Sequence, residues 1–89
     1  MTKEELCELL EKVRDVINNH YDYHVWYLAS YDEEWGPYDR YVTFEVSGHS
    51  DQGDGADWTE HWGIDNDGTI HTGDGDTYKS FEEFKYNWW

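Results

Sequence analysis

Aliphatic residues open the chain at helical spacing. Leu6, Leu9, Leu10, Val13, Val16 and Ile17 recur every three or four residues. That spacing puts them in one stripe on a helix of about four turns. Thr2 stands at the N-cap and Glu5 follows three residues on, the pattern of a capping box. Glu4, Glu5 and Glu8 lie toward the positive end of the helix dipole, where anions are favoured. Glu8 is also spaced to pair with Lys12. Asn18, Asn19 and His20 end the helix.

The apolar period then shortens to two. Residues 23–31 read as an aromatic-rich strand, with Val25, Tyr27 and Ala29 on one face and His24, Trp26 and Leu28 on the other. Residues 40–47 alternate most clearly: Val42, Phe44 and Val46 point one way, with Tyr41, Thr43, Glu45 and Ser47 opposite. Residues 58–64 put Trp58, Trp62 and Ile64 on one side, with Glu60 intruding among them. Residues 69–72 return as a short strand. Between these, 32–39 contain Gly36-Pro37 and read as a long connection rather than a tight hairpin turn. Residues 48–57 read as a mobile polar surface loop. Asp65-Asn66-Asp67-Gly68 is a tight turn, because Asn, Asp and Gly tolerate positive φ, and 73–77 form another acidic turn. Ser80 and Glu83 make a second capping box. It precedes Phe81, Phe84 and Trp88, one aromatic helix face, and Trp89 follows, packed or exposed.

The expected fold is α+β in the order α-β-β-β-β-α. A three- to four-stranded antiparallel meander is flanked by an N-terminal amphipathic helix and a short C-terminal helix. The 89 residues make a single compact acidic domain. A chain this short has a small core. Six Trp, eight Tyr and three Phe compensate, because each buried ring removes a large apolar area from water.

Charge changes the picture most. The formal net charge is −15. Residues 1–30 hold six acids against three bases, while the rest holds fifteen acids against three bases. This excludes direct nucleic-acid binding, which calls for the opposite sign. It also disfavours an anionic membrane surface. No apolar run is long enough for a membrane span or a signal segment. Cys7 is the only cysteine, so no internal disulfide forms, which fits a reducing compartment. Cys7 reads as a packing residue beside the stripe. A cytoplasmic location is the expectation.

Three kinds of chemistry bear on these residues. Asp65, Asn66, Asp67 and Gly68 resemble the centre of a calcium loop, with Asp65, Asp67 and Asp74 as metal candidates. Gly63 falls at the first ligand position and Asp74 at the last, and strands replace the flanking helices. A hairpin turn explains the segment better, and a weak calcium-binding domain is the alternative. His49, His61 and His71 fit no compact zinc spacing. His61 and His71 are expected across one hairpin. Carboxylates abound, yet none has the distinct surroundings that separate an acid from a base. No enzyme activity and no cofactor are expected.

The stretch 51–76 holds eight carboxylates and no Lys or Arg. Asp51, Asp54, Asp57, Glu60, Asp65, Asp67, Asp74 and Asp76 are therefore candidate partner-binding residues. Glu33, Glu34 and Asp39 extend the patch, and Tyr31, Trp35 and Tyr38 supply aromatic anchors. Carboxylates displayed in this way approximate the phosphates of a nucleic acid and suit a basic groove. With this cluster, and with the frame of 6–17, 41–46 and 81–88, the chain resembles the small acidic inhibitors of phages and mobile elements. Anti-CRISPR proteins and other DNA mimics belong to that group. The resemblance lies in size, charge and layout, with no motif matched residue by residue. It implies a stoichiometric inhibitor of host defence, acting in the bacterial host cell as a monomer or small homo-oligomer. Its target would be a defence nuclease or effector complex such as CRISPR-Cas, blocked at a guide, target-DNA or PAM-reading surface. A non-mimic acidic adaptor or immunity-type module is the other reading.

Overall fold

Thr2 closes the expected capping box: its hydroxyl accepts from the Glu5 N–H at 3.2 Å, and the Glu5 carboxylate accepts from the Thr2 N–H at 3.0 Å. These hydrogen bonds hold the Glu5 carboxyl below its ordinary range. In the computed structural model, which describes residues 1–88, helix α1 runs Lys3–Asn19. Its stripe is buried as expected at Leu6, Leu9, Leu10, Val13 and Ile17, with Val16 partly so. Lys12 lies 5.8 Å over the Phe81 ring rather than on Glu8.

The strands are β1 Val25–Ala29, β2 Glu34–Trp35, β3 Tyr41–Ser50, β4 Ala56–Asp65, β5 Ile70–His71 and β6 Thr77–Tyr78. Helix α2, Phe81–Asn87, follows with Ser80 as its N-cap. The chain is a small α+β domain in which two helices flank an antiparallel sheet. The sheet has six strands among the described residues, not three or four. Trp89 lies outside the described residues. No helix among them is long and apolar enough to cross a membrane.

Two strands were missed in the reading from sequence. β2 lies inside the segment expected to be a long connection. β1 and β2 both pair with β3 along the same edge. Ala29 faces Val46 and Glu34 faces Thr43, so residues 30–33 stand opposite only Phe44 and Glu45. They bulge out of what is otherwise one broken strand. A tight turn then leads into β3, with Asp39 N–H on Gly36 O and Gly36 N–H on Tyr41 O. Tyr38 and Asp39 both take left-handed backbone, φ 59° and 54°. β6 replaces the end of the turn expected at 73–77 and pairs with β5.

The expected mobile loop at 48–57 is also corrected. β3 continues to Ser50 and β4 begins at Ala56, so only 51–55 connect them. Gly48 is strand because the Trp58 indole covers it from across the ladder; a Cβ there would meet Trp58 Cε2 at 2.3 Å.

The register sorts the side chains between faces. Ala29, Val42, Phe44, Val46, Trp62, Ile64 and Ile70 join the α1 stripe and Phe84 and Trp88 in one core. Both helices therefore pack on the same sheet face. Trp62 is its centre, with ring centroids 5.8 Å from Phe84, 5.4 Å from Trp88 and 6.2 Å from Phe44. The opposite face is covered by neither helix. The outer edge of β1 is occupied: Tyr21 bridges to Trp26, and Asn18 Oδ1 accepts the Ala29 N–H at 2.8 Å. On the opposite side β5 and β6, two residues each, cover only the end of β4, and residues 56–62 of β4 have no strand partner there among the described residues.

Arg14 is buried on α1 at 2% exposure, beside the apolar stripe. It reaches the bulge between β1 and β2. Its Nε donates to Ser30 O at 2.8 Å, and its other nitrogens meet Glu33 at 2.8 Å and Glu11 at 3.0 Å. The guanidinium lies between the Tyr31 and Phe44 rings, 4.8 and 5.7 Å from their centroids.

Candidate partner-binding surface

The eight carboxylates of 51–76 do not share one face. Asp51 and Asp54 lie in the β3–β4 connection, and Asp57 follows at the start of β4. Asp65 and Asp67 lie at the other end of β4, eight residues away, or about 27 Å at the usual strand rise. Asp74 and Asp76 occupy the β5–β6 turn. All seven are exposed. Among the described residues the Lys and Arg ion pairs are Lys3–Asp39, Arg14–Glu11 and Arg14–Glu33. None of the seven belongs to them.

Glu60 is different. It is half-buried on the helix-covered face, between two indoles. Trp62 Nε1 donates to its Oε1 at 2.7 Å and Trp58 Nε1 to its Oε2 at 3.0 Å. Gly73 packs on its side chain so closely that a Cβ there would sit 2.3 Å from Glu60 Cβ. The residue that intruded in the strand pattern is the acceptor both tryptophans need. Glu60→Ala is expected to cost about 2 kcal/mol, because the buried Trp62 N–H is left without a partner. Urea unfolding of the variant measures this, and Glu60→Gln, which keeps one acceptor, should recover part of the loss.

The flanking candidates also divide. Glu33 is engaged by Arg14, whereas Glu34 is exposed on β2. Tyr31 lids Arg14. Trp35 is half-buried against the core, with Lys3 5.0 Å over its ring. Tyr38 is 93% exposed and remains available as an anchor.

The calcium candidates are likewise placed. Asp65 and Asp67 share the β4–β5 turn, where Gly68 takes φ 89°. Asp67 Oδ1 accepts the Thr69 N–H at 3.0 Å, and this bond holds its carboxyl below the ordinary carboxylate range. The stabilisation is full above the unfolded value and is lost as pH falls through the lowered one. Asp65 is hydrogen-bonded to His71 at 2.6 Å. Asp74 lies in the next turn. Among the described residues no group of three or more His, Cys, Asp or Glu is placed to hold a metal ion.

The uncovered sheet face was not singled out as a site, although the strand alternation foreshadowed it. Its β1 row is Trp26 and Leu28, with His24 just before the strand, its β3 row Tyr41, Thr43, Glu45, Ser47 and His49, and its β4 row runs from Asp57 through His61 to Asp65. Leu28 is 63% exposed. Imidazoles and carboxylates meet across it. His49 bonds Asp57, His71 bonds Asp65, and His24 bonds Asp51 at 3.0 Å. His61 stands opposite Glu45 in the register. His61 and His71 are thus not directly opposite, since His71 faces Gly63. Asp32, Glu33, Glu34, Glu45 and His61 border a hollow of about 340 Å³ beside the bulge. The chain matches no protein-family model, no curated protein and no solved structure.

Proposed function

We propose that the protein is a stoichiometric inhibitor that occupies a basic nucleic-acid-binding groove of a bacterial defence nuclease or effector complex. The observation that supports this is the spread of seven exposed carboxylates, free of Lys and Arg partners, along both ends and one edge of an elongated domain. The domain measures 44 × 24 × 20 Å. Its length equals that of about a dozen base pairs of duplex at 3.4 Å each. Such a rod of negative charge suits a channel built for phosphates and is steered into it at long range. Inhibition is by occupancy, with no catalytic step, in the cytoplasm of the host cell.

The test is capture of the partner from a bacterial lysate, with and without nuclease treatment, followed by displacement with duplex DNA. The expected partner is a nucleic-acid enzyme that the duplex displaces and that salt releases. Asn at Asp54, Asp57, Asp65 and Asp67 together should weaken binding by at least about tenfold, with the fold intact. Unchanged binding by that variant removes this assignment of the surface. The exposed Leu28 and half-exposed Trp26 favour a second reading, a non-mimic adaptor. A captured partner that DNA does not displace decides for it.

A further inference from the structure

We infer that the uncovered sheet face is the docking surface for an arginine-rich segment of the basic partner. This rests on the partner being basic, and it adds which face is used and which side chain it receives. Neither helix covers this face, yet it carries Leu28 in the open and Trp26 half-exposed. Exposed apolar area bordered by polar groups marks an interaction surface. The face carries no Lys or Arg: its rows from β1 to β6 supply Glu34, Glu45, Asp57 and Asp65 and the four imidazoles, with Asp51 reaching His24 at its end. The complement is therefore cationic.

The chemistry selects guanidinium over ammonium. Arg presents a plane that stacks on an indole and a fork that matches a carboxylate, whereas Lys offers a compact, strongly hydrated point charge. Trp26 stands opposite His49, four residues along β3 from Glu45, and has the rings of His49 and Tyr21 beside it at 4.3 and 6.4 Å. A segment laid along the strands meets the aromatic cluster with one arginine and Glu45 with another.

Each imidazole of the face stands against one of its carboxylates: His24 on Asp51, His49 on Asp57, His61 opposite Glu45 and His71 on Asp65.

The experiment titrates the whole protein with an oligoarginine peptide and an oligolysine peptide of equal length, followed by calorimetry and backbone amide shifts. Oligoarginine should bind several-fold tighter than oligolysine and shift residues of β1, β3 and β4. Trp26→Ala and Glu45→Gln should each weaken it about three- to tenfold. Glu45 is exposed, so E45Q keeps the test readable if the tryptophan variant folds poorly. Equal affinity for both peptides overturns the inference, as do shifts confined to residues 51–55 and 72–76 with both variants inert. The titration involves no nucleic-acid enzyme. Oligoarginine bound on this face, alongside a captured partner that DNA does not displace, upholds the inference while removing mimicry.

Discussion

Trp62→Ala is expected to cost about 3–5 kcal/mol and to leave the domain much less stable. Domains of this size are stable by only about 5–10 kcal/mol, so the loss is roughly a third or more of what holds the fold. Trp62 touches aromatic rings from β3, α2 and the residue that caps it, and it is 2% exposed. Its removal opens a cavity where the two helices and the sheet meet. It also leaves Glu60 with one indole donor instead of two. Trp62→Phe keeps ring contacts with Phe84 and Trp88 and should recover more than half of the loss. Equilibrium urea unfolding measures both variants. A cost below about 1.5 kcal/mol for the alanine variant would show that the core closes over the gap.

Arg14→Ala is the second large effect, about 3 kcal/mol. The guanidinium is buried, but its carboxylate partners differ: the Glu33 side chain is 32% exposed and that of Glu11 61%. On its removal both turn to water, which limits the electrostatic part of the loss. What is not recovered is the donor to Ser30 O and the packing between Tyr31 and Phe44. Arg14→Met restores volume without the hydrogen bonds and should regain about half. Because the site is shielded from solvent, molar salt should weaken the wild-type domain little there. It should stabilise the chain as a whole by screening its net charge. Unfolding curves of wild type and both variants, at low and high salt, separate these terms. Full recovery by methionine would mean that the arginine acts through volume alone.

How much was legible follows from what each residue needs. The α1 stripe and the alternation of Val42, Phe44 and Val46 are local, and both emerged where periodicity placed them. β2 and β6 are two residues each and carry no period. Glu34-Trp35 and Thr77-Tyr78 become strand only because β3 and β5 offer free ladder positions. Gly48 and Ser50 look like loop, and Trp58 makes them strand by laying its indole over the glycine. Arg14 reads as a polar position beside the stripe, and only the bulge at 30–33 brings its acceptors within reach. The acidic stretch was legible as charge but not as geometry: strand direction sent Asp57 and Asp65 to opposite ends of β4. Glu60 showed itself in sequence as an anomaly, a carboxylate in an aromatic face, without the two indoles that explain it.

The closed outer edge of β1 has a consequence for the molecule in company with its own kind. An aromatic-rich sheet with an unpaired border is a template onto which further strands can add without limit. Here the Tyr21 bridge and the Asn18 amide hold groups of β1 that another chain would bond. The far border is longer, because β5 pairs only Gly63 and Ile64 of β4 and leaves residues 56–62 without a strand partner on that side among the described residues. There Asp57 and Glu60 set like charge against any second copy. Strand addition is thus blocked by bonded groups at one margin and opposed by charge at the other, and a concentrated solution of this protein should stay free of fibrils.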